Sequence, residues 1–214
     1  MEKKIILTLD KAKEWYNKDA IHKELALRAF NENELRCNFE NITTFKDACD
    51  ALDIDYDKII YKIESISEIS RATTALFKLS IIRKALNLGY KLNLVENSND
   101  SHIFYPYTPF IAENSSYYRD KLNSGEMEVL GTIRSEGILY TVLNGNPIFG
   151  GDAGLGDFNY IIDVGYAYAH IGFLGCATKE IARHFGKYFG MLITEAKYAN
   201  IVNFEIIDDK FGTS

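Results

Sequence analysis

Apolar residues in the first third of the chain recur three and four positions apart, which is the spacing of short amphipathic helices. Asp10 and Asp19 are suitable N-caps for two such helices, and Asn31 is suitable for a following short turn. Residues 43–52 fit a further short helix. Each helix is too short to be stable alone in water, so we expect them to pack together or on the rest of the chain.

Residues 55–66 mix isoleucine and tyrosine with charged residues, and they fit either a strand or a helix. We interpret them as a connector that contains some strand. The pattern over residues 67–88 predicts a helix, with Gly89 as its stop. The apolar stripe of this helix consists of Ile69, Ala72, Leu76, Leu79, Ile82 and Leu86.

From about residue 92 the hydrophobic period changes to two, which indicates β-strands. Residues 101–111 are aromatic and extended, and their two prolines restrict them to an edge strand or an irregular path. Residues 126–134 and 137–143 predict a β-hairpin, with its turn at 135–137.

The helical period returns after a glycine-rich stretch. Thr178 is the predicted N-cap of a long helix that ends near Lys197, and residues 201–207 fit a closing strand. The predicted buried stripe of the long helix consists of Ile181, Phe185, Tyr188, Phe189, Leu192 and Ala196.

These elements predict an α+β fold: a helical N-terminal part, then a helix, an antiparallel β-meander and a long C-terminal helix. Alternating βαβ units are absent from the pattern, so we do not expect a Rossmann-type domain. We divide the chain into a small helical region, residues 1–66, and an α+β domain, residues 67–214. The second part contains a segment rich in glycine and tyrosine, residues 146–171.

Composition and charge exclude several classes of protein. The chain has 214 residues, of which 47% are hydrophobic and 25% charged, as in ordinary folded domains. Its net charge of −6 argues against strong non-specific binding to nucleic acid or anionic membranes. No apolar stretch approaches the roughly 20 residues of a membrane span, and the apolar run at 5–9 is too short for a signal-peptide core.

Cysteines and histidines provide no recognisable site. Cys37, Cys49 and Cys176 lie far apart and form neither a disulfide framework nor a metal-binding spacing. Free thiols are typical of a reducing cytoplasm, or of a particle assembled there. The four histidines show no ligand spacing, and no carboxylate pair stands out as general acid and base. We therefore predict no metal, no cofactor and no enzymatic activity.

The glycine-rich segment superficially suggests a phosphate-binding loop at Gly154 and Gly156. It lacks a GK[ST] sequence, a third glycine at the dinucleotide spacing and a following helix start. No lysine or arginine occurs between Ser135 and Thr178, so a bound phosphate would meet acidic residues and no counter-charge. We therefore do not expect phosphate or nucleic acid to bind at residues 135–178.

Two interpretations of residues 146–171 remain open. Alternating aromatic, short polar and small residues fit a glycine-rich meander whose aromatics fill the core. They also fit an exposed recognition surface, because antibody loops use a similar mixture of residues. For the second interpretation the candidate ligand-binding residues are Asp157, Asn159, Tyr160, Asp163, Tyr166, Tyr168 and His170.

Two features around the long helix have a functional and a structural interpretation. Cys176 lies just before the helix, where the helix dipole lowers a thiol pKa, but a cysteine in an apolar run is usually a core residue. Ala182, Gly186 and Gly190 form a stripe of small residues, which permits close packing on a sheet or on a partner helix. We favour the core interpretation for Cys176 and sheet packing for the stripe.

Several segments resemble a family of small uncharacterised proteins from the crAss-like phages of gut Bacteroidales and related mobile elements. They are KAKEWY (11–16), FKDAC (45–49), GFLGCATKEIA (172–182) and HFGKYF (184–189). The resemblance covers most of the chain and implies a viral or prophage origin. It implies no activity and identifies no functional residue, because the family has no assigned function.

The residues between the glycines of 146–171 suggest a further hypothesis. Asn, Ile, Phe, Asp, Tyr, Val and His are all reached from an asparagine codon by changing its adenines. Diversity-generating retroelements produce this set in the binding surfaces of phage and bacterial recognition proteins. The hypothesis of a hypervariable surface requires a template repeat and a reverse-transcriptase gene near the coding sequence.

Together these observations predict a non-enzymatic, phage-type binding or virion-associated protein that presents residues 146–171 to a protein or glycan. The alternative is an intracellular phage accessory protein that binds nucleic acid or a host regulator through basic helix surfaces. A third class is a cysteine-dependent enzyme that uses Cys176. The expected location is the bacterial host cytoplasm or the phage virion, and an oligomer is compatible with the sequence.

Overall fold

The fold is α+β, with helices before and after an antiparallel sheet, as predicted. The computed structural model describes residues 7–36, 38–68, 70–90, 103–106, 108, 110–112, 122–125, 127–144, 148–150, 174–200 and 203–212. In these residues the helices are α1 (Leu9–Tyr16), α2 (Ala20–Ala29), α3 (Glu32–Arg36), α4 (Phe45–Ala51), α5 (Tyr56–Ser67), α6 (Arg71–Leu86) and α7 (Lys179–Tyr198). A short 3₁₀ helix, Phe39–Asn41, precedes α4.

The strands of the described residues form one ladder of two and one sheet of four, all antiparallel. They are β1 (Ile103–Tyr105), β2 (Phe110–Ala112), β3 (Glu128–Ser135), β4 (Ile138–Asn144), β5 (Ile148–Gly150) and β6 (Glu205–Asp209). The order in the sheet is β2-β4-β3-β6, and β1 pairs with β5. The predicted hairpin is confirmed as β3 and β4, with its turn at Glu136 and Gly137, both of positive φ.

Side-chain caps explain most of the helix starts. Asp19 and Thr178 cap α2 and α7 as predicted, and Asn31 accepts a hydrogen bond from the Glu34 N–H in α3. The start of α1 was predicted incorrectly, because Thr8 and not Asp10 is its N-cap. Since Thr8 accepts from the Lys11 N–H, Asp10 lies inside the first turn, where a carboxylate also stabilises the helix dipole.

The connector predicted at residues 55–66 is wrong, because this segment forms helix α5. Asp55 accepts a hydrogen bond from the Lys58 N–H and is paired with the Lys58 ammonium at 2.8 Å, which stabilises the first turn. Ile63 is buried on one face of this helix, and Ile59 and Ile60 are half-buried. Because α5 continues to Ser67, the N-cap of α6 is Ser70, three residues after the predicted start.

The main core lies between α4, α6 and α7. Its fully buried large side chains include Leu79 and Ile82 from α6 and Phe185, Phe189 and Leu192 from α7. Ile42 and Ala48 from the N-terminal part belong to the same cluster. The core therefore crosses the predicted division at residue 66.

A second core lies between α7 and the sheet. Leu130, Ile133, Val142, Met191 and Phe204 are buried there. Helix α7 therefore contacts helices on one side and the sheet on the other, and the predicted single stripe accounts for only one of these surfaces.

The first three helices have a small core of their own. Leu9, Ala12, Ala26 and Leu35 are buried in it, with Trp15, Tyr16, Phe30 and Tyr90 packed against it. Tyr90 also packs against the main core, so it joins the two clusters.

Glycines allow α7 to approach the sheet closely. A Cβ atom on Gly190 would lie 2.2 Å from Leu130 Cδ1, and one on Gly186 would lie 2.7 Å from Asn144 Oδ1. On the sheet side, a Cβ on Gly131 would meet the Asp208 carbonyl and Met191. The prediction that the small-residue stripe packs on the sheet is therefore confirmed for Gly186 and Gly190, whereas Ala182 is buried in the main core.

We expect Gly190→Ala to lower the free energy of unfolding by about 1–3 kcal/mol, although alanine is the better helix former by about 1 kcal/mol. The new methyl group would overlap Leu130 in a close-packed core. Urea denaturation of Gly190→Ala, Leu130→Ala and the double variant measures this. The double variant should lose less stability than the sum of the single losses, and additive losses would contradict the contact.

Candidate functional site

The predicted ligand-binding residues lie outside the described part of the chain. They are Asp157, Asn159, Tyr160, Asp163, Tyr166, Tyr168 and His170. Whether they are exposed or buried therefore stays a prediction. The described residues on either side show how the fold holds the two ends of this segment.

The end that follows the segment is held by helix α6. Asn87 Oδ1 accepts a hydrogen bond from the Ala177 N–H at 2.7 Å, and Arg83 Nε donates to the Gly175 carbonyl at 2.9 Å. Leu174 and Cys176 are both buried in the main core. Two backbone positions before α7, Gly175 and Ala177, are thus bonded to side chains at the end of α6.

The start of the segment is held by strand pairing. Strand β4 ends at the buried Asn144, just before the segment, and Ile148–Gly150 within the segment form β5, which pairs with β1. The two ends of the segment are thereby attached to different parts of the fold.

Cys176 has the environment of a core residue. Its side chain is fully buried, and its thiol lies 3.5 Å from the Leu174 carbonyl, to which it donates. Burial raises the pKa of the Cys176 thiol to about 12, against smaller opposing effects of Asn87 and Arg83. The thiol is therefore protonated at neutral pH, which is the opposite of an activated nucleophile.

We therefore expect Cys176 to be unreactive in the folded protein. In a variant that retains only this cysteine, Cys37→Ser with Cys49→Ala, iodoacetamide should label the native protein slowly and the protein in concentrated guanidinium chloride rapidly. Mass spectrometry of the alkylated peptide measures both rates. Rapid labelling of the native protein at neutral pH would instead support the cysteine-dependent enzyme class.

His184 connects α7 to the segment that precedes α4. Its Nε2 donates a hydrogen bond to the Ile42 carbonyl at 2.8 Å, and its ring packs against Phe39 and Tyr188. Burial lowers the pKa of His184 below its ordinary value near 6.5, despite the opposing effects of Ile42 and Glu40. The ring is therefore neutral at physiological pH and acts as a structural donor.

This lowered pKa predicts a pH-dependent stability. Above about pH 6.5 both states hold a neutral ring, and as the pH falls the unfolded chain takes up a proton before the folded protein does. Stability should therefore decline from pH 6.5 downwards until the folded ring also titrates. His184→Gln, which keeps a donor for Ile42, should remove this part of the decline in urea denaturation from pH 7.5 to 5, whereas an unchanged profile would contradict it.

The described titratable groups with altered pKa in and before α7 are Cys176, His184 and Lys197. Burial lowers the pKa of Lys197 to about 8, but this residue lies thirteen positions after His184, or about 20 Å along the helix axis. His184 and Cys176 each make their described hydrogen bonds to different carbonyls. Among the described residues no group of three or more His, Cys, Asp or Glu side chains could hold a metal ion.

A cleft that the sequence analysis missed lies between the N-terminal helices and the rest of the fold. Its volume is about 340 Å³, and its walls are Asn31, Glu32, Ala51, Leu52, Lys84 and Leu88. These residues come from three separate segments of the chain. No motif or spacing in the sequence identifies such a site, because only packing brings the segments together.

No protein-family profile, curated protein or solved structure matches this chain. Within the described residues, no helix is both long enough and apolar enough to span a membrane.

Proposed function

We propose that the chain is a non-enzymatic binding protein of phage type, which presents residues 146–171 to a protein or glycan. The observation that carries this proposal is the attachment of both flanks of the segment to the core, through Asn144 on one side and Leu174 and Cys176 on the other. Binding segments are commonly held in this way, as loops on a rigid scaffold.

The chemistry of the segment supports contact recognition and not phosphate binding. It contains aromatic, short polar and small residues and no lysine or arginine. Tyrosine gives large contact area at low entropic cost, and Asp157, Asn159 and Asp163 can provide directional hydrogen bonds. We assign the contacts to Tyr160, Tyr166, Tyr168 and His170, in a virion or in the host cytoplasm.

The alternative, an accessory protein that binds nucleic acid or a host regulator, relies on basic helix surfaces. Helix α6 has four basic residues and no acidic one. Two of them are used within the fold, because Arg71 pairs with Glu195 and Arg83 binds the Gly175 carbonyl. Because these two arginines bind groups of the protein itself, they are less available to an external partner, which favours the first proposal over the alternative.

We expect Tyr166→Ala with Tyr168→Ala to abolish ligand binding while the melting temperature stays within about 1 °C. The reason is that surface truncations change stability little, whereas a buried aromatic costs about 3–5 kcal/mol. Binding is measured with labelled protein on a glycan array and on whole cells of gut Bacteroidales. Tyr61→Ala, at an exposed tyrosine of α5, is the matched control and should keep both binding and stability.

A fall of several degrees in the melting temperature of the double variant would contradict the proposal, because it would identify both tyrosines as core residues. Binding of single-stranded or duplex nucleic acid that weakens steeply with salt would favour the alternative.

A further inference from the structure

The cleft lies where two separately packed parts of the chain meet. Helices α1 to α3 have their own small core, and α4, α6 and α7 form the main core. Tyr90 packs against both, and Leu9 approaches so closely that a Cβ on Gly89 would lie 2.8 Å from it. The two parts are thus joined beside the end of α6, and the cleft opens between them. Binding sites for small molecules often occur at such junctions.

The two walls of the cleft carry opposite charges. On the N-terminal wall, Glu32 accepts a hydrogen bond from the Tyr16 hydroxyl at 2.7 Å, which restrains its carboxylate. On the other wall, Lys84 is exposed in the last turn of α6 and has no ion-pair partner among the described residues. Residues 69–95 contain no acidic residue at all, so the helix itself offers Lys84 no carboxylate.

The remaining walls are mainly apolar. Ala51 and Leu52 come from the end of α4, and Leu88 follows α6. All three are partly exposed, so an aliphatic group in the cleft would remove apolar surface from water. Asn31 provides the remaining polar wall, and its side chain is held by a hydrogen bond from the Glu34 N–H at 2.8 Å.

We propose that this cleft binds a small zwitterion with an aliphatic group, of the chemical class of an aliphatic amino acid. Glu32 binds its ammonium group and Lys84 binds its carboxylate, while Leu52 and Leu88 contact its apolar part. The volume of about 340 Å³ is at the lower end of the range for small-molecule sites, which suits a ligand of this size. None of the six lining residues belongs to 146–171, so this proposal does not depend on the function of that segment.

The test is a titration of the full chain with L-leucine, followed by ¹H–¹⁵N NMR and calorimetry. We expect saturable shifts at the Lys84 and Leu88 amides, with a Kd on the order of millimolar for so small a ligand. Lys84→Met and Glu32→Gln should each weaken binding about tenfold, since each removes a charge-assisted contact. Lys78→Met on the same helix and Glu24→Gln on α2 are the matched controls and should leave the Kd unchanged.

Two related ligands test the assignment of charges. Isocaproate lacks the ammonium group and isoamylamine lacks the carboxylate, so each should bind about tenfold more weakly than leucine. Equal binding of isocaproate and leucine would overturn the zwitterion assignment. Absence of saturable shifts at the cleft, or equal weakening by the Lys78→Met control, would overturn the site itself. Unchanged melting temperatures of the variants establish that they are folded.

Discussion

Burial of α7 on two opposite sides determines the layered arrangement of this protein. The helix meets α6 with bulky side chains, among them Phe185, Phe189 and Leu192. It meets the sheet largely through Gly186 and Gly190, where the missing side chains allow β3 and β4 to approach. A helix with a single apolar stripe could pack against either α6 or the sheet, but not both. Both cores therefore depend on the placement of large residues on the side of α7 that faces α6 and of glycines on the side that faces the sheet.

The close packing of α7 on the sheet has an energetic cost, because polar groups are buried there. Thr108 Oγ1 and Asn144 Oδ1 are buried and have no hydrogen-bond partner among the described residues, and a buried polar group without a partner costs about 1–3 kcal/mol. The Asn144 oxygen lies 2.7 Å from the place where a Cβ on Gly186 would be, so any side chain at position 186 would collide with it. Gly186 thus provides the space that this buried amide occupies.

The sequence predicts the elements that have strong local signals, and it does not predict the features that depend on tertiary packing. Thr178 and the turn at Glu136 and Gly137 were found because caps and positive φ angles leave local signatures. Helix α5 was missed because its β-branched residues also suit a strand, and the choice between the two depends on packing against the rest of the fold, where Ile63 is buried. The cleft was missed for a related reason, since Glu32 and Lys84 are separated by 52 positions in the sequence.

The basic residues of α6 explain how one helix serves both parts of the fold. Because positions 69–95 contain no acidic residue, a carboxylate partner for any cation of α6 has to come from another part of the chain. Arg71 pairs with Glu195 of α7 and donates to the Phe204 carbonyl, and Arg83 donates to Gly175 beside the predicted recognition segment. Lys84, the next residue, is rotated by about 100° and therefore faces the cleft instead of the core. Arg83 therefore stabilises the end of the predicted recognition segment, and the adjacent Lys84 supplies the positive charge of the proposed cleft site.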